Sequence, residues 1–71
     1  MPYTQEHLET ARRNVTESEK RVDRQKNVIG HLKQHGQSTE TAEAQLSQFH
    51  LMSRLYRERR DQIEAILKQK S

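Results

Sequence analysis

The stretch Lys33-Gln34-His35-Gly36-Gln37-Ser38-Thr39-Glu40 decides how this chain folds, because it holds a helix stop and a helix start within eight residues. Lys33 and His35 place basic groups where a helix C-terminus is partially negative, and Gly36 is the residue type that most easily takes the left-handed conformation ending a helix. A first helix is therefore predicted to close near His35. Ser38 or Thr39 then caps a second helix, whose first turns carry Glu40 and Glu43, acids suited to the positive end of the dipole. With only Gly36, Gln37 and Ser38 between them, the two helices are held side by side and antiparallel.

Upstream of the turn, Leu8, Ala11, Val15, Ser18, Val22, Gln25, Ile29 and Leu32 follow one another at steps of three and four. That spacing keeps all of them on one face of a helix and makes a heptad seam. Leu8, Val15, Val22 and Ile29 are large and aliphatic, whereas Ala11, Ser18 and Gln25 are small or polar, so the stripe is thin. Thr4 is the predicted N-cap, with Pro2 and Tyr3 outside the helix and Glu6 and Glu9 at its start.

Downstream, Ala42, Leu46, Phe49, Ser53, Tyr56, Arg60, Ile63 and Leu67 repeat the pattern. Folding about Gly36 sets Ile29 near Ala42 and Leu46, Val22 near Phe49, Val15 near Tyr56, and Leu8 near Ile63 and Leu67. Ser18 then faces Ser53, as a close approach, a water site or a weak spot. The fold class expected is all-α: one antiparallel two-helix hairpin, coiled-coil-like, over residues 1–71, with helix one over about 5–35, a turn at 36–38 and helix two over about 39–69. Each helix spans about 45 Å at 1.5 Å per residue.

Leu51, Met52, Leu55 and Ile66 lie outside the second seam and widen its apolar arc to about half the circumference. One neighbouring helix does not cover so broad a stripe. These four residues are the predicted interface for a homodimer, a four-helix bundle, or for capture of another helical protein. Parallel and antiparallel arrangements of two hairpins both remain open at this level, as does a domain-swapped form.

Composition narrows the function. Among 71 residues, 32 % are charged against 30 % in the broad hydrophobic class, too little interior for a walled substrate pocket. Catalysis is not expected, and neither is a small-molecule substrate or a cofactor. Glu17 and Glu19 are two apart and face different directions, and Gly30 and Gly36 are isolated and form no phosphate loop. The chain has no Cys, hence no disulfide, thiolate metal site or redox centre. The start, Met1-Pro2-Tyr3-Thr4-Gln5-Glu6, lacks an apolar signal core, and the longest apolar runs are pairs such as Val28-Ile29 and Leu51-Met52. A cytoplasmic protein that neither enters nor crosses a membrane is expected.

Two side-chain groups have sharper readings to weigh. His31 and His35 stand four apart, the spacing at which two imidazoles can share a metal ion; the dipole alone also favours histidine there, and no metal site is assigned. Arg12, Arg13, Arg54, Arg57, Arg59 and Arg60 gather at one level of the hairpin, and the chain carries a net charge of +3. A small basic nucleic-acid-associated protein is the alternative function. Against it, Glu9, Glu17, Glu58, Asp61 and Glu64 are interspersed, with Glu9 to Arg13 and Glu64 to Lys68 in the favourable i,i+4 order of a solvated flank. Arg60 falls in the seam, its stem on apolar side chains and its guanidinium outside or paired at the level of Asp61 on a partner. His7 and His50 read as surface or seam-flanking residues, Phe49 and Tyr56 as core, and Gly30 as a weak point or a close-packing position.

The pattern Val15-x-x-Ser18-Glu19-x-x-Val22-x-x-Gln25-x-x-x-Ile29-x-x-Leu32-x-x-x-Gly36-x-x-Thr39-x-x-Ala42-x-x-x-Leu46-x-x-Phe49 resembles a group of short, uncharacterised alphaproteobacterial proteins of rhizobial type that look like helical hairpins. It covers about half of the chain. Where such relatives often carry Asp before the turn threonine, this chain has Ser38, which keeps the capping group and removes a charge. The resemblance implies a hairpin of unknown role and brings no catalytic or binding residue. Pattern and composition together lead to one expectation, a helical protein–protein interaction or oligomerisation module.

Overall fold

The first helix begins where Thr4 turns its hydroxyl onto the chain ahead of it. In the computed structural model, which describes residues 3–69, the Thr4 side chain accepts the His7 N–H at 3.4 Å and the Thr4 N–H donates to His7 Nδ1 at 3.0 Å. This is a capping box in which His7 takes the place usually held by Glu or Gln, and it satisfies two amides that the helix leaves open. Tyr3 lies just before the cap and packs on the cluster containing Leu8, as a hydrophobic staple does. His7 is thus a capping residue and not merely a surface one. The expectation for Pro2 falls outside the described residues.

Helix α1 runs over Gln5–Gln34 and α2 over Glu40–Lys68. At the end of α1 the Gln37 N–H donates to the Leu32 carbonyl at 2.9 Å and the Gly36 N–H to the Lys33 carbonyl at 3.1 Å. That pair of bonds is a Schellman stop, and Gly36 makes it with φ +66°. The start of α2 is looser. Thr39 occupies the cap position without a side-chain cap bond, its hydroxyl donating to the Glu43 carboxylate at 3.0 Å, while Ser38 Oγ accepts the Glu40 N–H at 3.4 Å.

The two glycines have opposite needs, which makes a test. At Gly30 an added Cβ meets nothing within 4 Å and the backbone is ordinary helix, so the position is open and not a close approach. Gly30→Ala is expected to raise stability by about 0.5–1 kcal/mol. Gly36→Ala also meets open space, but its left-handed backbone strains any Cβ, and a loss of about 1–2 kcal/mol is expected. Urea melts followed by circular dichroism should move the midpoint in opposite directions; a shift of the same sign in both would contradict the turn geometry.

α1 and α2 lie antiparallel in a rod 55 Å long and 14 by 13 Å across. The hairpin is as the heptads require. Leu8, Ala11, Val15, Ser18, Val22, Gln25 and Ile29 are buried along α1, and Leu32 is half-buried. On α2 only Ala42, Ser53 and Ile63 are buried, with Leu46, Phe49, Tyr56, Arg60 and Leu67 half-covered. For Phe49 and Tyr56 size is the reason, because one opposing helix leaves part of so large a side chain in water.

Register is pinned at both ends. Near the turn, Gln25 Nε2 donates to the Ala42 carbonyl at 2.9 Å and to Gln45 Oε1 at 3.1 Å, so a buried amide finds partners on the opposite helix. At the far end Leu8, Ala11 and Ile63 form a buried knot, closed over by Tyr3 and Leu67. Ser18 settles its own hydrogen bond by donating to the Val15 carbonyl at 2.7 Å. It needs nothing from Ser53.

Candidate functional site on the second helix

With the seam closed, the outer surface of the rod divides into two flanks and two backs, and helical geometry assigns each residue to one of them. At 100° per residue, Leu51 and Leu55 sit about 160° away from Ser53, on the back of α2. Both stay exposed, Leu51 at 55 % and Leu55 at 48 %. Met52, at 42 %, lies on the neighbouring flank. Ile66 shares that flank but is half-buried. The four residues predicted as an interface therefore divide into three exposed ones and one, Ile66, that is half-buried.

Val28 is the residue that sequence reasoning missed. It is 45 % exposed on α1, one position before the seam residue Ile29, as Met52 is one position before Ser53. Rows placed that way meet across an antiparallel pair, and the groove lined by His7 and Asn14 together with Arg59 shows them doing so. Val28 and Met52 thus belong to one flank. Its signal was present in the pair Val28-Ile29, of which a single seam can bury only one.

The other flank is charged. Glu19, Asp23 and Lys26 of α1 face His50 and Arg57 of α2 around an open groove of about 240 Å³, with Val22 and Ser53 at its floor. The small Ser53 is why a depression exists there. Toward the chain ends on this flank, Arg12 bridges to Glu64 at 3.4 Å, an ion pair that links the two helices. Glu64 also meets Lys68 at 3.7 Å, in the i,i+4 order read from the sequence.

The six arginines do not share one surface. Arg12 and Arg57 lie on the charged flank, whereas Arg59 lines the groove on the opposite one with Tyr3, His7 and Ile63. Arg54 pairs with Glu58 at 3.3 Å, four residues along the same helix. Arg60 is half-buried in the seam and pairs with its own neighbour Asp61 at 3.0 Å, within one chain. Arg13 is exposed on the back of α1. Surface pairs of this kind contribute roughly 0–1 kcal/mol each.

His31 and His35 come together, their ring centroids 4.5 Å apart and tilted by 57°. Among the described residues no group of three or more His, Cys, Asp or Glu is arranged to hold a metal ion. No helix of the described residues is long and apolar enough to cross a membrane. Comparison with protein families, with curated proteins and with solved structures finds no match. The exposed apolar residues of α2 are the feature with the most to explain, because leaving large aliphatic side chains in water is unfavourable and the hairpin offers them no cover.

Proposed function

We propose that this protein is a cytoplasmic, non-catalytic helical module that works by binding helices, first of all a second copy of itself, in a four-helix bundle. One observation carries the reading: Leu51, Met52 and Leu55 remain 42–55 % exposed after the hairpin has closed. Full burial of such a side chain contributes about 1.5–3 kcal/mol, and about half of that is still to be gained at each position, so docking a second α2 over them gives a thin two-helix rod the interior it lacks. Membership of the short alphaproteobacterial hairpin family is part of the same proposal and rests on the pattern from Val15 to Phe49.

Sedimentation equilibrium at micromolar concentration tests it. The expected result is a species of twice 8.5 kDa that is helical by circular dichroism. A helical species of monomer mass across the concentration range would overturn the reading.

A further inference from the structure

The back of α2 is a second seam. Ala44, Gln48, Leu51, Leu55, Glu58 and Gln62 follow at steps of four and three, all exposed, on the side turned away from α1. Glu58 is the only charged one of the six, and Arg54 of the same helix already pairs with it at 3.3 Å. The back of α1 is different: Glu6, Arg13, Lys20 and Arg24 crowd the matching positions. Of the two backs, that of α2 has the fewer charges at helix-packing intervals, Glu58 alone among these six.

Resting on the self-association reading above, we infer that the second copy docks antiparallel, α2 against α2, about a two-fold axis that passes the back of α2 at the level of position 53. The residue numbers suit this alignment. When Leu51 packs on the partner's Leu55, Gln48 falls opposite the partner's Glu58, and Ala44 opposite the partner's Gln62, because every one of these pairs is centred on position 53. The two-fold repeats each contact, so both leucines of both chains are covered together. Each Gln48 amide then donates to a carboxylate, a charge-assisted bond stronger than a neutral one. A parallel alignment instead sets Glu58 at the level of the partner's Glu58, two like charges side by side, which is unfavourable. The small Ala44 lets the backbones approach as neighbouring helices of a bundle do, about 8–10 Å between axes.

The absence of cysteine from the sequence makes orientation directly measurable. Full-length chains carrying Ala44→Cys and, separately, Gln62→Cys are mixed in equal amounts and oxidised gently, and sedimentation equilibrium is run on each reduced sample. Both positions are exposed, so the hairpin is retained. In the antiparallel dimer the two copies of position 44 stand eighteen residues apart along the axis, about 27 Å, beyond the roughly 7 Å Cα separation a disulfide allows. The expected outcome is a covalent dimer containing one chain of each kind and almost none from either variant alone. Self-crosslinking of each single variant, as readily as the mixture, would show a parallel pair and overturn the inference while leaving self-association intact. A non-covalent dimer with no crosslink in any sample would place the contact elsewhere and overturn it too. Monomers in every reduced sample would remove both the orientation and the association on which it rests.

Discussion

Replacing Leu51 and Leu55 together by Glu is expected to abolish self-association while leaving the hairpin folded. Both side chains point away from α1 and are about half exposed, so neither substitution removes a contact that holds the two helices together. In a dimer packed through α2, however, each chain contributes two leucines, and four carboxylates would have to enter one small apolar contact. Losing the burial alone removes several kcal/mol, since each of the four leucines has about half of a full burial of about 1.5–3 kcal/mol still to gain, and placing carboxylates there adds a desolvation cost. The dissociation constant should rise by at least about a thousandfold, at roughly 1.4 kcal/mol per factor of ten. Sedimentation equilibrium reads the loss, and an unchanged far-ultraviolet circular dichroism spectrum at matched concentration shows that the helices persist. Undiminished dimerisation would mean that another face makes the contact.

The second large effect concerns the hairpin itself. Ile63 is 3 % exposed and locked against Leu8 and Ala11, with Tyr3 and Leu67 closing over them. Ile63→Ala is expected to cost about 2–4 kcal/mol, the lost transfer energy plus a cavity that two rigid helices fill poorly. Ile66, three residues on and only half-buried, serves as the control, and Ile66→Ala should cost less than about 1.5 kcal/mol. Urea denaturation at a single protein concentration measures both, because any dimer adds a concentration-dependent contribution to apparent stability. Equal losses at the two positions would mean that the seam runs along a different face of α2 from the one the structure shows.

Much of this was legible in the residues. The alternation of three and four in α1 named its buried face correctly down to Gln25, a polar residue that hydrophobicity alone would have placed outside. Gly36 identified the stop, and the short turn left antiparallel packing as the only course. What the pattern hid were local bonds made by residues with several options. His7 caps because its Nδ1 happens to sit within reach of the Thr4 amide, a geometry that the Thr4-x-x-His7 spacing permits without demanding. Thr39 was one of two candidate caps, yet its hydroxyl turns to Glu43 and Ser38 takes the Glu40 amide.

The arginines show the same limit at larger scale. Six of them at one level looked like a single basic surface, but each residue turns the direction by 100°, and the packed seam converts small differences in number into opposite flanks. Arg57 and Arg59 are two apart and end on different sides of the rod.

Sequence by itself determined the two helices, the bend between them and the face on which they meet, because periodicity, a left-handed glycine and chain connectivity are all properties of neighbours along the chain. The tertiary structure alone decided which apolar residues the hairpin uses up and which it leaves in water. Ile66 is half-covered and Val28 is left exposed, since coverage depends on how much area one opposing helix can offer at a given level, and that is set by the shape of the partner surface and by no residue's own identity.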